Sequence, residues 1–204
     1  MSGARGPCLS RPAGLRRLFM LIGAGLALSV VPAEVRATGT AVFISTKASA
    51  AAPSGAADLC QRYDWACHSS GSAALAGSAM LPTVRKVNRQ VNQTVRSIAD
   101  SVQYGVKEVW TLPSRTGGDC EDYALLKKQR LIAKGIPAQH LLLATVFGAR
   151  TGSHAVLILR LAEGDYVLDN MTDQIRHWSE TDYTFLRIQN PEAPSRWATV
   201  FAGG

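Results

Sequence analysis

Apolar residues recur along the chain in distinct rhythms, and each rhythm predicts a different element. Val84, Val87, Val91, Val95, Ile98 and Val102 follow one another at steps of three and four, one face of an amphipathic helix. Leu81-Pro82 stands at its start, where proline's fixed φ and missing N–H are tolerated. A second helix is predicted over 119–134. Leu125, Leu126, Ile132 and Ala133 supply its apolar face, Asp119 suits the N-cap, and Asp122 three residues on suits a shortened capping box. Gly135 and then Pro137 end it. The rhythm then changes. LLLATVF (141–147) is a continuous apolar run that fits a central strand, and HAVLILRL (154–161) and YVLDNM (166–171) flank Glu163-Gly164 as a hairpin. Helices followed by an antiparallel meander make an α+β domain.

The first 37 residues break with this patterning. Arg5, Arg11, Arg16 and Arg17 precede an apolar run from Leu18 to Val31, and Val35-Arg36-Ala37 offers a small-residue cleavage site. That order is the order of a secretory signal. The run's 14 residues are too few for a comfortable membrane span, which sets the alternative, a retained anchor, second. Residues 38–57, rich in Ala, Ser, Gly and Thr, read as a flexible lead-in, leaving 58–204 as one domain. Charge changes meaning once the signal is set aside. Residues 1–37 carry five Arg and one Glu, so the formal +7 falls to +3 in the mature part, which has no concentrated Lys/Arg stripe. Nucleic-acid binding is therefore excluded as the reading of the basic pI. There is no nucleotide-type glycine motif and no internal repeat.

Cys8 lies in the signal, which leaves Cys60, Cys67 and Cys120. In an oxidising compartment Cys60 and Cys67 are natural partners. On one straight helix their Cα atoms would stand roughly 10 Å apart, beyond disulfide reach, so a bridge needs a turn, which the polar QRYD between them can supply. Two buried thiols are the alternative. A metal site of Cys60, Cys67 and His68 is disfavoured because no second ligand pair follows at zinc spacing. Either way Cys120 is left alone.

Cys120 falls in the first turn of the predicted helix, where unpaired N–H groups and the positive dipole end favour a thiolate. Gly117-Gly118 before it lets the backbone approach closely. His154 opens one predicted strand and Asp169 lies in the next. A helix-terminal thiol, a strand-borne imidazole and a following carboxylate is the order that cysteine-nucleophile enzymes use. With Ala162–Asp165 as the hairpin loop, Leu161 faces Tyr166, which puts Asp169 about 13 Å along the strand from His154 and sets Asp173 opposite it. On register alone Asp173 is preferred; a bulge would bring Asp169 back. His140 reads as a strand-boundary residue, and His68 and His177 as surface. Trp110 reads as either a cleft wall or core.

GDCEDYALLK, HAVLILR, YVLDN and the closing HWSETDYTFLR resemble the bacterial transglutaminase-like cysteine peptidases, relatives of the LapG-type periplasmic proteases that release biofilm adhesins. The resemblance spans roughly residues 58–201, and LCQRYDWAC resembles the paired-cysteine opening of an alphaproteobacterial branch. It implies a papain-like/transglutaminase-like fold with N-terminal helices on an antiparallel sheet. It also implies Cys120 as nucleophile, His154 as base and Asp169 as orienting acid. It further implies a calcium ion held by Asp119, Glu121 and Asp122, the rival role of these acids being plain helix capping. An ion there makes physical sense, because bare carboxylates beside a thiol hold it protonated and a dication reverses that field. The expected protein is a periplasmic monomer acting on an envelope protein, with a surface adhesin as candidate substrate and a membrane-anchored receptor responding to cyclic di-GMP as candidate regulator. Two other functions compete with peptide hydrolysis: acyl transfer from the same acyl-enzyme, as in a transglutaminase, and a non-catalytic calcium-dependent binding module.

Overall fold

The computed structural model describes residues 43–69, 71 and 73–203, with side chains described as far as residue 200; the signal expected over 1–37 lies outside them. Among the described residues, seven strands form one antiparallel sheet in the order β1-β7-β6-β2-β3-β4-β5. They are β1 (Ser49–Ala50), β2 (Leu141–Gly148), β3 (Gly152–Leu161), β4 (Gly164–Leu168), β5 (Arg176–His177), β6 (Tyr183–Gln189) and β7 (Trp197–Gly203). The helices are α1 (Leu59–Arg62), α2 (Leu81–Thr94), α3 (Asp100–Gln103) and α4 (Cys120–Ile132). No helix among the described residues is long and apolar enough to cross a membrane.

The unbroken apolar run of β2 has a direct cause. Leu141 and Leu143 join Leu157 and Leu159 against Val84, Val87, Val91, Leu125 and Leu131 of α2 and α4. Leu142, Ala144 and Val146 face the other way, into a second core with Val156, Ile158, Phe185, Ile188 and Ile44. A strand buried on both faces keeps no polar alternation. Trp110 belongs to the core, edge-on to Trp197 at 5.6 Å.

Three expectations are corrected. The helix read over 84–102 ends at Thr94, and Val95 is extended (φ −89, ψ 130). The chain leaves the helix because another partner satisfies it: Ile98 N–H donates to Gly118 O, and Gly118 N–H donates to Arg96 O, both at 3.0 Å. Val102, the last residue of the pattern, is 79% exposed. The lead-in is not loose over 43–50. β1 pairs with β7, Ile44 is buried, and its N–H donates to Asp165 Oδ2 at 2.8 Å. Backbone pairing needs no particular side chains, so composition hid it. Finally, the β3–β4 turn has two residues rather than four, with Leu161 opposite Gly164 and Leu157 opposite Leu168.

Cys60 and Cys67 are bridged, with Cα atoms 5.5 Å apart. The required turn is Tyr63, which separates α1 from the 3-10 turn Asp64–Ala66. His68 is exposed, His140 is buried at the start of β2, and His177 Nδ1 lies 2.7 Å from Ser179 Oγ.

Candidate active site

Gly117 and Gly118 bring the end of α2 against the start of α4. At Gly117 (φ +138) a Cβ would lie 2.0 Å from Arg96 O, and at Gly118 it would lie 2.4 Å from Asp122 Oδ2. Only glycine permits both approaches. Asp119 follows in extended conformation at the N-cap, but its side chain caps nothing; its Oδ2 accepts from Asp100 N–H at 3.1 Å. Asp122 Oδ1 accepts from Thr111 N–H at 3.0 Å, and the backbone N–H of Asp119 also faces the Asp122 carboxylate, the reaching-back half of the expected capping box.

These approaches gather carboxylates around the thiol. Asp100, Asp119 and Glu121 each place an oxygen within 4.8 Å of the others. Asp122 has no place in this group, and Asp100, which sequence reasoning missed, takes it. Asp100 Oδ2 accepts from Val109 N–H. One oxygen of each acid, Asp100 Oδ1, Asp119 Oδ1 and Glu121 Oε1, is buried without a hydrogen-bond partner. Burial, with the charge of Asp119 next, pushes Glu121 up to about 9. Burial also raises Asp100 above the usual carboxylate range and Asp122 to about 7.

Cys120 is the first residue of α4 and half-buried. Its Sγ–H donates to Glu121 Oε2 at 3.2 Å, while the backbone N–H of Ala155 faces the sulfur from β3. Burial, then the Glu121 charge, drives the thiol well above its ordinary value, against the opposing pull of Ala155 N–H. Without a counter-charge the thiol keeps its proton.

Immediately before Ala155, His154 Nε2 lies 2.9 Å from Asp169 Oδ1. The two-residue turn explains how they meet. Continued one step beyond Leu168, the observed register sets Asp169 opposite Val156, roughly 7 Å along the strand from His154 instead of 13 Å, within diagonal reach. Asp173 is engaged elsewhere, accepting from Asn92 Nδ2 at 2.9 Å. Asp169 also accepts from Met171 N–H on Oδ1 at 3.0 Å and from Tyr183 O–H on Oδ2 at 2.6 Å. Burial alone would raise its pKa, but the His154, Met171 and Tyr183 hydrogen bonds outweigh it and hold the carboxyl below its usual range. Tyr183, like Asp100, was missed; it sits inside HWSETDYTFLR with nothing in the pattern to mark it.

A thiol at a helix start, met by the strand amide of the residue after His154, with a His154–Asp169 pair on the same antiparallel sheet, is an arrangement of the cysteine-peptidase class. Comparison gives the family: the chain belongs to the bacterial transglutaminase-like cysteine proteinases (BTLCP), whose profile matches residues 46–203. Among solved structures it is similar to calcium-bound LapG of Legionella pneumophila, with a TM-score of 0.50 and 23% identity over 61% of this chain and 71% of that one. A second structure of the same LapG gives 0.50 and 25% over 61% and 70%. No curated protein matches the chain.

Proposed function

We propose that Cys120, His154 and Asp169 are the nucleophile, base and orienting acid of an exported peptidase acting on an envelope protein. The observation that carries this reading is the buried His154–Asp169 pair next to the strand amide that meets the Cys120 sulfur. With Nε2 engaged by Asp169, Nδ1 is the ring atom left to take the thiol proton. The sulfur attacks the substrate carbonyl, and backbone N–H groups of the first α4 turn receive the oxyanion. His154 gives the proton to the departing amine, which leaves an acyl-enzyme. It then takes a proton from water, whose oxygen attacks the acyl carbon and restores the thiol.

The acid cluster fits calcium. Two oxygens on one calcium ion, each at 2.3–2.6 Å, stand at most about 5 Å apart; the three acids meet that limit with one oxygen each, and each acid also has a buried oxygen without a hydrogen-bond partner. Asp100, Asp119 and Glu121 would hold the ion, with backbone carbonyls and water completing the shell. When bound, it supplies positive charge that offsets the carboxylates beside the thiol. Export is supported by the signal-like order of residues 1–37 and by the Cys60–Cys67 bridge, which suits an oxidising compartment. A surface adhesin is the substrate class, and a membrane-anchored receptor the regulator, that the family likeness suggests.

The test incubates the mature protein with envelope proteins of the producing cell, with and without calcium, and sequences the new N-termini. Fragments should appear only with calcium and vanish for Cys120→Ala and for His154→Ala. The same fragments generated by Cys120→Ala would sink the reading.

A further inference from the structure

Asp169 has a third, independent support, from a strand that carries neither the nucleophile nor the base. Tyr183 opens β6, directly across from Gly148 of β2. Its hydroxyl donates to Asp169 Oδ2 at 2.6 Å, while Oδ1 accepts from His154 Nε2 and Met171 N–H at 2.9 and 3.0 Å. The terminal carboxylate torsion is intrinsically soft. Donors on both oxygens remove that freedom and leave Oδ1 turned toward the imidazole. The tyrosine ring also stands 5.8 Å from the His154 ring, tilted by 41°. Its place depends on the residue opposite: a Cβ at Gly148 would meet the ring Cε1 at 2.9 Å and Thr151 Oγ1 at 2.6 Å. Behind the pair lies a cavity of about 710 Å³, lined by both Asp169 and Tyr183. Water from that cavity is the natural replacement for the hydroxyl if it is removed, and a water donor does not hold one carboxylate orientation as a strand-borne phenol does.

We propose that Tyr183 is a positioning residue for catalysis: its hydroxyl locks the Asp169 carboxylate in the orientation that holds the His154 ring for Cys120. The proposal rests on the catalytic reading above. A hydrogen bond to a charged partner corresponds to about a ten- to hundredfold effect when its donor is deleted. Tyr183→Phe keeps the ring, its packing and its strand pairing and removes only the donor.

The experiment uses the mature protein in calcium-containing buffer and iodoacetamide as the probe. Alkylation forms a carbon–sulfur bond at Cys120 with loss of iodide, so its rate reads the thiolate that His154 sustains. Tyr183→Phe should lower that rate about tenfold. The ¹⁵N resonances of the His154 ring should move from one tautomer toward an average, a change that a purely structural tyrosine would not produce. Gly148→Ala, which pushes the ring away without altering it, should act in the same direction. Wild-type alkylation with unchanged His154 resonances in Tyr183→Phe and in Gly148→Ala overturns the proposal alone. Wild-type alkylation in His154→Ala overturns the catalytic reading and this proposal with it.

Discussion

Asp119 and Glu121 act on the Cys120 sulfur, and with Asp100 they form the acid cluster on which the proposed calcium reading rests. Replacing Asp100 with Asn should weaken calcium binding by at least tenfold in a calorimetric titration, because it removes one anionic ligand while leaving an oxygen to accept from Val109 N–H. Asp122→Asn, outside the cluster and engaged with Thr111, should change affinity far less. Equal losses in the two variants would place the ion elsewhere. Proton competition gives a second expectation. Burial and the Asp119 charge push Glu121 up to about 9, so a calcium ion held by it would displace a proton at neutral pH, and affinity should rise with pH. Because its folded pKa exceeds the ordinary 4.5, the ion-free fold loses stability as pH climbs between the two. Glu121→Gln should flatten both trends. Asp119 and Glu121 were legible in the sequence because they flank the cysteine. Asp100 was not, since it lies 19 positions before Asp119 and the chain between α2 and α3, bridged to Gly118 at Ser97, interrupts the valine pattern.

α4 does more than present a thiol. It buries Lys127 and Lys128 completely enough that burial holds both near 7, and Lys128 Nζ donates to Gln189 Oε1 at 2.7 Å. Gln189 also receives Leu143 N–H and donates to Pro194 O, so one side chain ties helix, central strand and β6–β7 loop together. A lysine whose folded pKa lies below its unfolded 10.5 makes the fold more stable as pH rises from about 7 to 10.5. Lys128→Met should reduce that slope by about 1.4 kcal/mol per pH unit, measured by urea unfolding from pH 7.5 to 9.5; an unchanged slope would show that the amine stays charged inside. Helical periodicity located α4 by its apolar face, yet it carried no sign that Lys127 and Lys128 are buried as well, because a lysine's burial depends on a partner that lies elsewhere in the chain. The β3–β4 hairpin was legible as a pairing and misread in length. Gly164, taken for part of the loop, begins β4 with φ +138 and is already paired with Leu161. That two-residue difference brings Asp169 within diagonal reach of His154, and Asp173 is kept from the role by its engagement with Asn92.

At the scale of the molecule, the two long helices and the three strands β2, β3 and β4 that follow them were visible in the sequence, whereas β1, β5, β6, β7 and the second core on the far face of the sheet were not. The fastening of residues 43–50 was not, because its main anchor is remote. Arg160 makes a two-pronged ion pair with buried Asp165, at 2.9 and 2.8 Å, and Asp165 holds the Ile44 amide. The Arg160 guanidinium also lies 4.9 Å from the centre of the Phe43 ring. Ala48 exchanges hydrogen bonds with Thr199, and β1 covers the outer rim of β7. Protein made from residue 58 onward, the apparent domain start, would therefore leave a bare strand rim and a charged pair stripped of its amide. Such rims recruit other chains. Light scattering after size-exclusion chromatography should find that shortened product self-associated, where the product beginning at residue 38 stays dispersed, so a failed preparation of the short form would report on the missing strap and not on the chemistry of the site.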